Sequence, residues 1–213
     1  MTSPGSTPQT LSLQAVLAQL GAHGALTLPG RACDPTLRWM RRVAGVRSVA
    51  IGVLALGVVL MILGGVLRNT GGWALALVVG GFLAFAGVVA LGAALMLRGV
   101  YGPRLAAEAR PVTIDRAGVV LRGIGPIPWS DVAPPERTRV TVRNDIGGDC
   151  TVMPLTVLGH ARVNAQPGWF RTLVGPQPYL RFDIPHLLLP GVAGLTEDET
   201  LELFRAAHWQ FAG

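Results

Sequence analysis

The sequence contains little charge, and its acidic residues are absent from a long stretch. Charged residues make up 14% of the 213 positions, and lysine does not occur. A typical soluble domain has roughly 25% charged residues. No aspartate or glutamate lies between Asp34 and Glu108. This deficit excludes an ordinary soluble protein and a disordered chain, and it predicts a membrane segment in the first half.

The excess of basic residues does not indicate nucleic-acid binding. The formal net charge of +6 divides into +7 for residues 1–104, with eight arginines and one acid, and −1 for residues 105–213, with ten arginines and eleven acids. A nucleic-acid-binding domain needs a basic soluble surface. We therefore expect no nucleic-acid partner.

The sequence also lacks the residue patterns of enzymes and metal sites. It has no GxSxG, no HExxH and no phosphate-binding loop. Cys33 and Cys150 are isolated and predict free thiols. The nearest approach to a metal cluster has no recognisable ligand spacing; its members are Asp145, Asp149, Cys150 and His160. We expect no catalytic residue, no cofactor and no metal.

Two uncharged apolar runs occupy residues 48–67 and 73–97, joined by the five residues 68–72. Twenty helical residues rise about 30 Å, which is the thickness of a bilayer core. The short connection predicts an antiparallel transmembrane hairpin within residues 43–98. Its small residues, such as Gly57, Gly64 and Gly80, allow close helix packing. Two interpretations remain open: the spans pack on each other, or they pack on another protein or a second copy.

Arginines near the runs predict the orientation. Seven lie on the outer flanks and one, Arg68, lies in the connection; the seven are Arg38, Arg41, Arg42, Arg47, Arg98, Arg104 and Arg110. Positive residues near membrane ends stay in the cytoplasm. Both termini are therefore expected there. Arg38, Arg41 and Arg42 are also candidates for contact with anionic lipid headgroups.

Residues 1–42 are expected to form a cytoplasmic leader that is partly disordered and lacks a signal peptide. Its apolar positions Leu13, Val16, Leu17 and Leu20 recur at helical spacing. They predict either a short amphipathic helix or a weakly ordered segment.

Residues 111–213 have the pattern of a separate α+β domain. Residues 112–122 are predicted to form two strands around a tight turn that contains Gly118, and further strands are predicted at 127–132, 137–143, 151–157, 161–164 and 179–184. A terminal helix follows Thr196, which forms a capping box with Glu199.

Two features of this domain are candidates for lipid or partner contact. Arg137, Arg139 and Arg143 share one face of a predicted strand, although a solvated face is the alternative. Trp169 and Phe170 lie in an apolar segment, residues 167–180, which contacts the membrane interface or a partner, or folds back onto the domain.

Three segments, TIDRAGVVLRG with IPWSDV, then FDIPHLLLPG leading into the acidic terminal helix, resemble the pleckstrin-homology-like (PH-like) domains of bacterial proteins with a preceding pair of transmembrane helices. The resemblance implies a seven-stranded split barrel capped by the C-terminal helix. It also implies a bacterial plasma membrane location and supplies no catalytic residues.

The predicted function is a non-enzymatic, membrane-tethered interaction or scaffold module, with a membrane-protein partner or self-association through small-residue helix faces. The alternative is an anionic-lipid sensor that uses the arginine face of residues 137–143.

Overall fold

A computed structural model describes residues 12–69, 71–140, 148–176 and 183–213. They form the helices α1 (Leu13–His23), α2 (Asp34–Val66), α3 (Trp73–Glu108), α4 (Val157–Asn164), α5 (Gly168–Val174) and α6 (Glu197–Phe211). The strands are β1 (Ala25–Leu28), β2 (Gly30–Arg31), β3 (Val112–Asp115), β4 (Gly118–Leu121), β5 (Ile124–Ile127), β6 (Glu136–Val140), β7 (Gly148–Pro154), β8 (His186–Leu188) and β9 (Gly191–Val192). The chain divides into two compact units: unit 1 contains residues up to 36 and from 103 onward, and unit 2 contains residues 37–102.

Unit 2 is built from most of the two long helices. The 33 residues of α2 and the 36 of α3 correspond to lengths of about 50 and 54 Å. Their most apolar 18-residue windows are only 17% and 11% buried, so neither resembles the core helix of a soluble protein. Both helices are long and apolar enough to cross a membrane. Helix α2 begins well before its predicted run 48–67, and helix α3 continues well past its predicted run 73–97.

Glycines allow the two helices of unit 2 to approach closely. A Cβ atom at Gly80 would lie 2.8 Å from the carbonyl oxygen of Gly57, and one at Gly87 would lie 2.7 Å from the nitrogen of Leu54. A Cβ at Gly57 would clash with the backbone of Ala84. The structure therefore follows the first of the two interpretations, in which the helices pack on each other.

Unit 1 contains three antiparallel sheets. The largest has the strand order β1-β3-β4-β5, with Leu26 opposite Ile114. A second pairs β2 with β9, and a third has the order β6-β7-β8. Described residues of the three sheets do not close into one barrel, so the fold is α+β with antiparallel sheets.

The segment before the hairpin differs from the expected leader. Residues 12–36 form α1, β1 and β2 and belong to the same unit as residues 103–213. The predicted helix is confirmed as α1, which ends at Gly24 in the left-handed conformation. The strand β1 alternates exposed and buried residues, and its buried Leu26 and Leu28 enter the core of unit 1. The domain that was expected to begin at residue 111 thus includes sequence from both sides of the hairpin.

The predicted turn between β3 and β4 is confirmed. The Oδ1 atom of Asp115 accepts hydrogen bonds from the backbone nitrogens of Ala117 and Gly118, and Gly118 has a φ of 144°. The capping box at Thr196 and Glu199 is also present at the start of α6. Both motifs depend on neighbours in sequence, which makes them recognisable without a structure.

Four strand predictions are wrong, or partly so. The strand predicted at 151–157 is β7, which ends at Pro154, and Val157 already begins helix α4. Residues 161–164 lie in helix α4, which Thr156 caps by accepting a hydrogen bond from Gly159. Residues 127–132 are mainly a 3₁₀ turn, because β5 ends at Ile127 and the turn covers Trp129–Asp131. In the predicted strand 179–184, residues 179–182 lie outside the described residues, and β8 begins at His186.

Substituting the packed glycines tests the hairpin. We expect Gly57→Ala to destabilise the full-length protein by about 1–3 kcal/mol, because the new Cβ overpacks against Ala84. A Cβ atom added at Gly52 would have no neighbouring atom within 4 Å. Gly52→Ala should therefore leave stability unchanged or raise it by up to about 1 kcal/mol through helix propensity.

The measurement is the midpoint of unfolding. The protein in mild detergent is titrated with a denaturing detergent, and circular dichroism monitors the loss of helix. Gly80→Ala and Gly81→Ala supply a second matched pair, since only Gly80 is tightly packed. Equal midpoints within each pair would contradict the described helix contact.

Candidate functional site

The most concentrated polar chemistry in the described residues surrounds the carboxylate of Glu108. Its Oε1 atom accepts hydrogen bonds from the Oγ1 of Thr36 at 2.9 Å and the Nε of Arg104 at 3.2 Å. The Nη2 of Arg122 lies 3.3 Å from the same oxygen. The Oε2 atom accepts from the backbone nitrogen of Cys33 at 3.0 Å. One carboxylate therefore binds groups from three separate parts of the sequence, all within unit 1.

Helix geometry explains how these groups meet. Cys33 directly precedes α2 and Thr36 lies in its first turn, whereas Arg104 and Glu108 are four residues apart in the last turns of α3. Residues four apart lie on the same helix face, so both side chains point to one side. Glu108 thus joins the start of α2 to the end of α3 inside unit 1.

Arg122 connects this cluster to the sheets. It follows β4 with a φ of 57°, which is uncommon for a residue other than glycine. Its Nη1 donates to the carbonyl oxygen of Leu188 at 2.9 Å, and its side chain has no solvent exposure. A fully buried arginine needs a charge partner and carbonyl acceptors, and Glu108 and β8 provide them.

The electrostatics favour an ionised Glu108, which lies eleven positions beyond the uncharged run 73–97. Burial alone would raise its pKa, but the positive charges of Arg122 and Arg104, with hydrogen bonds from Thr36 and Cys33, hold the pKa of this carboxyl below its usual value. Burial and the charge of Glu108 raise the pKa of the Cys33 thiol, against the opposing effect of the two arginines.

These features describe a structural cluster. A thiol with a raised pKa is protonated at neutral pH and is a poor nucleophile. The Sγ of Cys33 instead donates to Oε1 of Glu108 at 3.3 Å. The side chains of Glu108 and Arg122 have no exposed surface that a substrate can reach.

The predicted headgroup-binding arginines all lie in unit 2. Arg38, Arg41 and Arg42 are exposed on α2. The guanidinium carbon of Arg42 lies 5.6 Å from the ring centroid of Trp39, which stacks on Tyr101 at 5.4 Å.

The predicted arginine face of unit 1 is described only in part. Arg137 and Arg139 are exposed on β6, while Arg143 lies outside the described residues. The Nη2 of Arg137 donates to Oδ1 of Asp198 at 2.6 Å. This arginine therefore already has an acidic partner at the start of α6.

The aromatic candidates lie on helix α5, not on a loop. Trp169 is 61% exposed, and Phe170 packs against the core of unit 1. Their ring centroids are 6.1 Å apart. Phe170 therefore folds back onto unit 1 and the ring of Trp169 is exposed, whereas residues 177–180 of the segment lie outside the described residues.

The weak metal candidates are dispersed. Asp145 lies outside the described residues, Asp149 and Cys150 are on β7, and His160 is on α4. Within the ranges that the structure describes, no three His, Cys, Asp or Glu side chains form a group able to hold a metal ion.

Sequence reasoning missed the cluster around Glu108, which depends on contacts between distant positions. Two signals were present: Glu108 ends the acid-free stretch, and it lies four residues after Arg104. Neither signal indicates that Cys33 and Arg122 meet at the same carboxylate.

Replacing Glu108 tests the role of the cluster. We expect Glu108→Gln to destabilise the protein by about 3–5 kcal/mol at pH 7, because Arg104 and Arg122 lose their buried counter-charge. Glu202→Gln, at an exposed position on α6, is the matched control.

The loss should also depend on pH. A carboxyl with a lowered folded pKa stabilises the protein fully above its unfolded value of about 4.3, and this contribution disappears as the pH falls through the folded pKa. Thermal unfolding of the native protein and of Glu108→Gln should be measured between pH 7 and pH 3. The difference in stability between the two proteins should narrow as the pH falls. A constant difference across this range would rule out an ionised Glu108.

Comparison with known proteins gives no match to a family model, a curated protein or a solved structure.

Proposed function

We propose that the protein is a two-span membrane protein whose hairpin tethers unit 1 to the cytoplasmic face of a bacterial plasma membrane, where unit 1 acts as a non-enzymatic interaction module. The spans are the uncharged runs 48–67 and 73–97. Tethering confines a domain to the membrane surface and raises its effective concentration toward membrane partners.

The observation that carries this proposal is strand pairing across the hairpin. The strand β1 precedes the hairpin and pairs with β3, which follows it, and β2 pairs with β9 in the same way. Paired strands must lie in one compartment. If the helices cross a bilayer, they cross it twice, and both flanking segments lie on the same side.

Charge supports the assignment of that side. Seven arginines flank the hairpin on its outer ends and one lies in the connection. This asymmetry favours a cytoplasmic location for unit 1. The arginine asymmetry is independent of the strand pairing, and both observations favour two crossings of the membrane.

Exposed apolar side chains support a protein partner for unit 1. Val157, Trp169 and Trp209 are 92%, 61% and 82% exposed. Exposed tryptophans are enriched at protein interfaces. The arginine-face alternative has less support, because Arg137 is already paired with Asp198. Antiparallel strands followed by a terminal helix are also compatible with the PH-like character we propose for this unit.

Cysteine labelling tests the topology. We expect Gly71→Cys, in the connection, to react with a membrane-impermeant maleimide in intact cells, and Gly213→Cys to react only after the membrane is permeabilised. The native Cys33 and Cys150 are buried and supply a low background. Labelling of both introduced cysteines in intact cells, or of neither before permeabilisation, would exclude two crossings.

Site-specific photo-crosslinking tests the interaction role. A photoreactive phenylalanine analogue at position 169 or 209 of the full-length protein should give one reproducible protein adduct in cells. The same analogue at Glu202, an exposed polar position, should not give it. The adduct at 209 should weaken when Trp169→Ala is added, provided both tryptophans contact the partner. Adducts with lipid alone would contradict a protein partner.

A further inference from the structure

Unit 1 contains an open pocket bordered by β5, the 3₁₀ turn, α4 and α5. Its volume is about 280 Å³, which is at the lower end of pockets that bind small ligands. A single large side chain or a small molecule has this size. Ile127, Pro128 and Phe170 supply apolar walls, and Asp131, Arg162 and Gln166 supply polar groups.

The carboxylate of Asp131 is the buried polar group of this pocket. Its side chain is only 4% exposed, although it lines the pocket. Its Oδ1 atom accepts hydrogen bonds from the Nη1 of Arg162 at 3.0 Å and from the Oγ of Ser130 at 3.4 Å. None of the described residues donates a hydrogen bond to Oδ2. A buried carboxylate oxygen without a donor favours a ligand that brings one.

The backbone of Asp131 holds this acceptor in place. The nitrogen of Asp131 donates to the carbonyl oxygen of Pro128 at 3.0 Å, and its carbonyl oxygen accepts from the nitrogen of Thr156 at 3.0 Å. A Cβ atom at Gly159 would clash with the same carbonyl oxygen, so α4 lies directly against the turn. The acceptor is therefore positioned before a ligand binds, which lowers the entropy cost of binding.

The charges of the pocket favour a neutral ligand group. Asp131 and Arg162 form an ion pair, so a cation would be repelled by one and an anion by the other. A hydroxyl can donate to Oδ2 of Asp131 and accept from Arg162, which is 54% exposed and has no second acceptor among the described residues. An aromatic ring that carries this hydroxyl would pack against Phe170 and Ile127. A phenol combines the two features.

We propose that this pocket binds a tyrosine side chain of the partner protein, with its ring against Phe170 and its hydroxyl donating to Oδ2 of Asp131. The inference rests on the interaction role proposed for unit 1. A protein source fits the surroundings, because the exposed Trp169 lies next to Phe170 and their ring centroids are 6.1 Å apart. The tryptophan assigned above to partner contact is therefore close to the pocket.

Ligand-observed nuclear magnetic resonance with the full-length protein in mild detergent tests the pocket. The probes are N-acetyltyrosinamide and N-acetylphenylalaninamide, which differ only in the hydroxyl, and protein-free micelles supply the background. We expect the tyrosine probe to bind about tenfold more tightly. This ratio is equivalent to about 1.4 kcal/mol, the scale of one hydrogen bond to a charged group. The comparison leaves the protein unchanged, so it does not depend on the folding of a variant.

Variants at the pocket locate the binding. Gln166→Phe adds a ring at the exposed rim and should weaken binding of the tyrosine probe. Ala165→Phe is the matched control, because Ala165 is exposed and does not line the pocket. Asp131→Asn should remove most of the preference for tyrosine over phenylalanine and retain binding of the phenylalanine probe. General damage to the pocket would instead weaken both probes, and circular dichroism shows whether each variant is folded.

Three results would overturn the site. They are equal binding of the two probes, equal losses for Gln166→Phe and Ala165→Phe, and tighter binding of free tyrosine than of N-acetyltyrosinamide, which would indicate an amino-acid ligand. Photo-crosslinking separates this failure from that of the proposed function. A reproducible protein adduct at position 169 without a probe preference rejects only the tyrosine pocket, whereas adducts with lipid alone reject the interaction role itself.

Discussion

The carboxylate of Glu108 is the constraint on which unit 1 depends, because it is buried with two guanidiniums and cannot leave either without a partner. Arg104 reaches it along α3, and Arg122 reaches it from the end of β4. The Nη1 atoms of Arg122 and Arg104 also donate hydrogen bonds to the carbonyl oxygens of Leu188 and Thr172. A buried charge without its partner costs more free energy than the intact ion pair contributes to stability. The cluster therefore acts mainly by making other arrangements of these segments of unit 1 unfavourable.

That exclusion matters because unit 1 is assembled from two pieces of sequence with the hairpin inserted between them. Joining distant segments costs loop-closure entropy, although this cost grows slowly with loop length. The pairing of β1 with β3 supplies backbone hydrogen bonds but little choice of partner. The contacts of Cys33 and Thr36 with Glu108 add that choice, because they admit only one arrangement of the two helix ends within unit 1.

The parts of the structure that the sequence predicted are those determined by local periodicity. The uncharged runs, the helix at Leu13, the turn at Asp115 and the cap at Thr196 each depend on residues within a few positions of one another. Helix α4 was predicted as a strand because its start depends on Thr156 and on the approach of Gly159 to Asp131. The strand β1 was missed because it pairs with β3 on the far side of the hairpin, and the Glu108 cluster was missed because Cys33 lies 75 residues from Glu108 in sequence.

The two units hold their elements together in opposite ways, and the proposed membrane insertion of unit 2 accounts for the difference. In unit 2 the helices expose apolar side chains, and burying a leucine between them gains little if lipid surrounds them. Close backbone contact at Gly57, Gly80 and Gly87 is then the stabilising interaction that remains. In unit 1 water competes for polar groups, so apolar burial and a water-excluded ion cluster stabilise the fold. Helices α2 and α3 contribute residues to both units, and the acid-free stretch of sequence ends at Glu108, whose carboxylate is the centre of the ion cluster of unit 1.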